Sequence, residues 1–222
     1  IEPDADVDSS LPLLVKAGYY HAGQVCVSAQ KLYVHNSIVK DYSQKFKERV
    51  ASLNTGNPLS DKTHIGPLIR EEEVDRVDNW VKEAEQKGGD ILCGGKRLSN
   101  NCYAPTLILV PPEEAEVSKK EIFGPVVCIY SYKNLNEAVQ RANSLPFCFQ
   151  SSIFTKDMDK AFHCVRDLSA KAVMVNDHPA FRVDWMPFGG AKRSGMGTGG
   201  IPYTMKEMTR EKLMVMKSEA WK

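Results

Sequence analysis

The run Val126-Val127-Cys128-Ile129-Tyr130-Ser131-Tyr132, followed by Leu135 to Asn143, Ser151 to Phe154, Met158 to Leu168 and Lys171 to Val175, decides the fold class. The first run reads as a buried strand. Leu135 to Asn143 reads as a helix that ends before Pro146, Ser151 to Phe154 as a strand, Met158 to Leu168 as another helix and Lys171 to Val175 as a further strand. Outward from this stretch, Lys31-Leu32-Tyr33-Val34-His35 is a short β-branched and aromatic run. Ser37 to Leu53 then carries Ile38, Val39, Tyr42, Phe46 and Val50 at helical spacing. Glu71 to Lys87 repeats that pattern through Val74, Val77, Val81 and Ala84, and Gly88-Gly89 stops it where helix C-caps prefer glycine. Strand–helix–strand alternation with short connections predicts an α/β fold: an open, mostly parallel sheet flanked by helices on both faces. Such sheets place ligands at the carboxyl ends of their strands, so functional residues are expected in loops that follow strands or precede helices.

Composition narrows the function classes. In 222 residues, 29 Lys and Arg against 28 Asp and Glu leave a net charge of +1, which lacks the basic excess of a nucleic-acid binder. Apolar residues at 42% and charged residues at 26% are those of a globular chain. No stretch approaches the ~18 apolar residues of a membrane span, and the start has no basic or apolar leader. Six cysteines show neither C-x-x-C nor zinc-finger spacing, so a soluble protein in a reducing, cytoplasmic setting is expected, without metal, membrane or nucleic-acid partners. Ile1 stands where translation would place Met, which suggests a cut or processed chain. With no linker or repeat, one compact domain with extensions is expected.

Three segments carry chemistry. In His21-Ala22-Gly23-Gln24-Val25-Cys26-Val27-Ser28, a cysteine just after a glycine, near a helix or turn junction, can have its thiolate favoured by aligned backbone N–H groups. Alone, Cys26 reads more readily as an inert buried thiol between Val25 and Val27. In Glu121-Ile122-Phe123-Gly124-Pro125-Val126, a carboxylate can accept from ribose hydroxyls and an aromatic two residues on can face a nicotinamide ring; the alternative is a solvated Glu with Phe123 in the core. Pro187-Phe188-Gly189-Gly190-Ala191-Lys192-Arg193-Ser194-Gly195-Met196-Gly197 is an ordered functional loop or a linker, and it matches no phosphate-cradle pattern.

In order, wording and separation the three resemble the aldehyde dehydrogenase superfamily: G-Q-x-C, then E-I-F-G-P, then P-F-G-G-x-K-x-S-G-x-G. Glu121 stands 95 residues after Cys26, and Phe188 stands 162 after it. Pro3-Asp4-Ala5-Asp6, Gly56-Asn57-Pro58-Leu59, Gly66-Pro67-Leu68, Val175-Asn176-Asp177 and Lys206-Glu207-Met208-Thr209 agree as well. The resemblance implies that Cys26 is the nucleophile, attacking a small aldehyde to give a thiohemiacetal and then a thioester, with NAD or NADP as hydride acceptor. Glu121 is implied as the nicotinamide-ribose ligand with Phe123 against the ring, and Val25, Asn176, Arg182 and Phe188 as pocket residues. It also implies a catalytic domain over residues 1–210 and an oligomerising strand and tail over 211–222, with the strand at Lys212 to Lys217 making a homo-oligomer. The cofactor domain, a side-chain oxyanion donor and the water-activating Glu are implied to lie upstream, so this chain resembles half of a complete enzyme and is expected not to turn over aldehydes alone. Glu2 is not that base.

Departures from the pattern are His21 where Asn is common, Thr198-Gly199 in place of Arg-Glu, and Cys148 where Gly is usual. Ala180-Phe181-Arg182-Val183-Asp184-Trp185-Met186 resembles members acting on small hydroxylated or anionic aldehydes, with Arg182 either pairing with a substrate anion or forming a structural pair with Asp184. Two other readings compete: a cysteine thioesterase using Cys26 with His21, His35, His64, His163 or His178, and a truncated non-catalytic or oligomerising domain.

Overall fold

The computed structural model describes residues 1–221. Helix α1 (Val7–Tyr19) and a turn at Tyr20–Gly23 lead into β1 (Lys31–His35), α2 (Val39–Ala51) and α3 (Glu71–Gln86). There follow β2 (Asp90–Cys93), β3 (Thr106–Leu109), the single turn α4 (Glu116–Lys119) and β4 (Val126–Tyr132). The chain continues through α5 (Leu135–Asn143), β5 (Phe147–Cys148), β6 (Gln150–Ile153), α6 (Met158–Asp167), β7 (Ala172–Val175), β8 (Ala191–Lys192) and α7 (Ile201–Glu207).

The strand that decided the fold class lies at the centre. β4 runs parallel to β1 on one side and to β3 on the other, with β2 antiparallel at the far edge. Every residue of β4 except Ser131 is buried, because both faces are covered. Arg141 of α5 lies over the rings of Tyr33 and Tyr130, at 5.2 and 5.5 Å. Gly18 of α1 abuts Val127, which strand alternation turns to the opposite face. The helical stripes bury as their spacing predicts: Tyr42, Phe46 and Val50 from α2, and Val74, Val77, Val81 and Ala84 from α3. Helix α5 starts where Asn134 accepts from the Glu137 N–H, and α6 where Asp157 accepts from Asp159 and Lys160. Gly88, at φ 102°, turns the chain out of α3.

The sheet is open and mostly parallel, but it is not continuous. β6 and β7 form their own parallel pair, and β5 with β8 a short antiparallel one. Around β6 sits a satellite core of Val139, Ile153 and Cys164, separate from the main one. The N-terminus crosses between the two bodies. The Ile1 carbonyl accepts from the His35 N–H, and the Glu2 N–H donates to the Phe154 carbonyl. Glu2, 3% exposed, is held by Lys160 at 2.5 Å and by the Tyr132 hydroxyl, so its carboxylate serves packing.

Residues 212–217 form no strand, because a strand needs a neighbour and none of the chain's own edges reaches them. From Ile201 to Ala220 every residue is exposed. Among the described residues no helix is long and apolar enough to cross a membrane, and no group of three His, Cys, Asp or Glu stands ready for a metal ion.

Candidate active site

The Cys26 segment owes its shape to three consecutive left-handed residues, His21, Ala22 and Gly23, at φ 50°, 56° and 70°. These break the chain sharply out of α1. A turn then closes by a bond from the Ser28 N–H to the Val25 carbonyl at 3.0 Å, leaving Cys26 at the crown. Cys26 is a free, exposed thiol, which sets aside the reading of an inert core cysteine. Its backbone N–H, at the second position of the turn, takes no part in the bond that closes it. Gln24 braces the base of the loop: its amide donates to the His21 and Pro67 carbonyls at 3.2 and 3.3 Å and accepts from the Ile69 N–H at 3.0 Å.

The Glu121 loop is fastened directly to this turn. A Cβ added to Gly23 would lie 2.1 Å from the Gly124 carbonyl oxygen, so the two backbones touch where no side chain fits. Gly124 in turn backs onto Val77, leaving no room for a side chain there either. Gln30 holds the same loop from β1, donating to the Lys120 carbonyl at 2.7 Å and accepting from the Ile122 N–H at 2.8 Å. Arg76 reaches the Ile122 carbonyl at 2.8 Å, and its guanidinium lies 4.6 Å from the Trp80 ring centre. Thus clamped, Ile122 is buried while Phe123, at φ 48°, projects outward and is 41% exposed. Desolvation lifts the Glu121 carboxyl above its usual range, with Arg76 pulling the other way. Burial, and then the nearby Cys26 sulfur, raise the Tyr20 phenol.

An open cavity of about 700 Å³ gathers Cys26, Val25, Glu121 and Phe123, walled by Trp80 and Phe149. The glycine-rich loop supplies a further wall through Arg193 and Ser194. It is secured where the Ser194 hydroxyl accepts from the Cys148 N–H at 3.0 Å and where Lys171 caps the Gly197 carbonyl. Cys148 lines the same cavity, its thiol pushed up by burial and eased by Lys192.

The other named residues lie outside it. Phe188 packs edge-on against Phe149 with centroids 5.0 Å apart, one ring removed from the cavity. Arg182 stacks on Phe188 at 4.1 Å and, with Asp184, lines a separate surface groove. The Asn176 amide clamps Thr155, accepting from its N–H and donating to its carbonyl, both at 2.9 Å. Thr155 also binds the Asp4 carboxylate, where burial is outweighed by hydrogen bonds from Thr155 and Lys156 that hold the carboxyl low. Among the described residues no histidine lines the Cys26 cavity; His21 lines the next groove, with its ring 5.1 Å from that of Tyr20. Sequence reasoning missed Gln30, Arg76 and Trp80. The one sequence signal was an amide side chain at the mouth of β1.

A pattern common to the aldehyde dehydrogenase family matches residues 1–214. The chain belongs to that family. Over 216 residues this family member is 38% identical to a 3-sulfolactaldehyde dehydrogenase of Priestia aryabhattai, a match covering 97% of the chain and 45% of the relative. A lactaldehyde dehydrogenase of Methanococcus maripaludis is 39% identical over 213 residues, covering 96% and 45%. Among solved structures, aldehyde dehydrogenase 21 from Physcomitrella patens, in complex with the reaction product succinate, superposes with a TM-score of 0.92 at 41% identity. It covers 95% of this chain and 44% of that one. A glyceraldehyde-3-phosphate dehydrogenase from Methanocaldococcus jannaschii, complexed with NADP, gives 0.89 at 38% identity, with 93% and 44% covered. The chain therefore spans about 45% of the length of the curated relatives it matches.

Proposed function

We propose that the chain is the thiol-bearing catalytic half of an NAD(P)-dependent aldehyde dehydrogenase that oxidises a small aldehyde to a carboxylate. The observation that carries this is the exposed Cys26 sulfur in one cavity with Glu121 and the outward-facing Phe123. As a thiolate, Cys26 adds to the aldehyde carbon, and its backbone N–H donates to the oxygen that gains charge, a contact whose loss typically costs ~10²–10³ in rate. A carboxylate and an exposed aromatic ring two residues apart suit the ribose and the flat ring of a nicotinamide nucleotide. When bound, that cofactor supplies the hydride acceptor. Glu121 and Phe123 would hold and orient it, and the Gly23–Gly124 contact fixes their loop against the Cys26 turn. Water then releases the acyl group from Cys26 as the carboxylate. The groups that activate this water and complete the oxyanion site belong to the rest of a complete enzyme.

The two relatives named for lactaldehyde and sulfolactaldehyde support a small hydroxylated or anionic substrate. Arg182, exposed and held flat on Phe188 outside the cavity, is one cation for such an anion, beside Arg193 and Lys120 of the cavity wall. Self-association through residues 212–217 has support in Leu213 and Val215, 86% and 83% exposed in an otherwise uncovered stretch. Six free cysteines suit a reducing, cytoplasmic setting. The test is NAD(P)H formation from a panel of short aldehydes, by this chain alone and within a complete enzyme, each with Cys26→Ser. Turnover is expected only in the complete enzyme, and only with Cys26 intact. Turnover that survives Cys26→Ser, or an ordinary enzymatic rate from this chain alone, overturns the reading.

A further inference from the structure

The Glu121 side chain owes its direction to a residue outside its own loop. Gln30 stands immediately before β1, and its carbonyl accepts from the Cys128 N–H at 2.9 Å, so the parallel ladder with β4 fixes its backbone. The half-buried side chain crosses to the Glu121 loop, where Nε2 donates to the Lys120 carbonyl at 2.7 Å and Oε1 accepts from the Ile122 N–H at 2.8 Å. Those two groups belong to the two peptide units on either side of the Glu121 Cα. Each unit is planar, so holding both sets the two dihedral angles between them, and with those the line along which the side chain leaves the backbone. A side-chain amide suits this position because it offers one donor end and one acceptor end.

The other fastenings of the loop act elsewhere. Arg76 takes the Ile122 carbonyl at 2.8 Å, which belongs to the next peptide unit and sets Phe123. Lys31 caps the Ser118 carbonyl, upstream of Glu121. Lys120 lies 5.7 Å from the Trp80 ring centre and pairs with Glu116 at 2.5 Å. Among the described residues no hydrogen bond or salt bridge holds the Glu121 carboxylate itself, and Arg76 acts on it through charge alone. Between Cys26 and Gln30 the chain is tied to α1: the Ser28 hydroxyl and the Ala29 N–H both donate to the Ala17 carbonyl at 3.1 Å. One short anchored stretch therefore carries the thiol at one end and the support of Glu121 at the other.

We propose that Gln30 is a positioning residue for nicotinamide nucleotide binding: it keeps Glu121 aimed into the Cys26 cavity, and the affinity of the site for NAD or NADP depends on that hold. The inference rests on the reading of Glu121 as the nicotinamide-ribose ligand and adds the residue on which that ligand depends. Without Gln30 the two peptide units turn, and a bound nucleotide has to order them again. An ordering cost of that kind weakens binding by about three- to tenfold.

The experiment is a double-mutant cycle in a complete enzyme that contains this chain, read as the dissociation constants of NAD and NADP by calorimetry with no aldehyde present. Gln30→Met is close in shape and lacks both bonds. It is expected to weaken the tighter-binding nucleotide about three- to tenfold. With Glu121→Ala already present its effect should shrink below about twofold, because no carboxylate remains to aim. Protection of Ile129 from amide exchange checks that each variant is folded, and Gln30→Ala replaces Gln30→Met should that protection be lost. An unchanged dissociation constant in a folded Gln30 variant overturns the inference. So does an equal loss with and without the Glu121 carboxylate, which would make Gln30 a structural support only. If Glu121→Ala alone leaves binding unchanged while Cys26→Ser still abolishes turnover, the assignment of Glu121 fails first and the inference falls with it.

Discussion

The contact between Gly23 and Gly124 makes a quantitative demand that three glycine substitutions can test. Gly23→Ala places a methyl group 2.1 Å from a carbonyl oxygen and 2.6 Å from its carbon, on backbone that has no flexible tip to yield. It also forces an L side chain to stay at φ 70°. The backbone term costs about 1–2 kcal/mol, and the overpacking adds about 1–3 kcal/mol, together roughly 2–5 kcal/mol. Gly88→Ala isolates the first term, since Gly88 sits at φ 102° with nothing within 4 Å of a new Cβ. Gly56→Ala carries neither: its nearest neighbour is the Thr63 hydroxyl oxygen at 3.7 Å, and a change within about 0.5 kcal/mol is expected. Urea unfolding of the three variants should rank Gly56→Ala, Gly88→Ala and Gly23→Ala in rising order of damage. In a chain of this size the last should lose roughly 5–15 °C of melting temperature. Alkylation of Cys26 should change rate only in Gly23→Ala, because only there must the Cys26 turn and the Glu121 loop part. A Gly23→Ala protein no less stable than Gly88→Ala would refute the direct backbone contact and the geometry built on it.

Gln30→Ala removes both bonds that hold the Glu121 loop to β1, costing about 1–2 kcal/mol and speeding amide exchange at Ile122 while β4 stays protected; unchanged exchange at Ile122 would show that Arg76 suffices alone. Lys160→Met strands the Glu2 carboxylate in a buried position and should destabilise by about 1–3 kcal/mol, discounted for the partly exposed lysine, whereas adding Glu2→Gln should restore part of the loss.

How much of this was legible in advance depended on length and covalent proximity. Val126 to Tyr132 and the stripes through Val74 and Tyr42 announced themselves because each repeats one environment over seven or more residues. β2 and β3 did not. Thr106-Leu107-Ile108-Leu109 is a four-residue run between Pro105 and Pro111, and its partner β2 reads as an ordinary loop after Gly88-Gly89. Within the site, Cys26, Glu121 and Phe123 were legible as motif residues, and the structure brings them to one cavity. Asn176, Phe188 and Arg182 were named by the same resemblance, yet here they act on Thr155, Phe149 and a ring face. A motif preserves a residue without saying which of its atoms faces the cavity. Gln30 and Arg76 were illegible for the complementary reason. Their partners are backbone atoms of the Glu121 loop, 46 and more positions away, and a carbonyl or an amide leaves no side-chain signature to match against.

The same reasoning explains why the glycines of the motifs carry more of the geometry than the reactive residues do. Cys26, Glu121 and Phe123 touch one another through no hydrogen bond; their spacing is set where Gly23 meets Gly124 and where Gly124 meets Val77. Val77 belongs to the buried stripe of α3, which packs into the main core, so the position of Cys26 relative to Glu121 and Phe123 is anchored in that core. The glycine-rich loop of the opposite wall instead hangs from β5, β6 and β7, which share few contacts with that core.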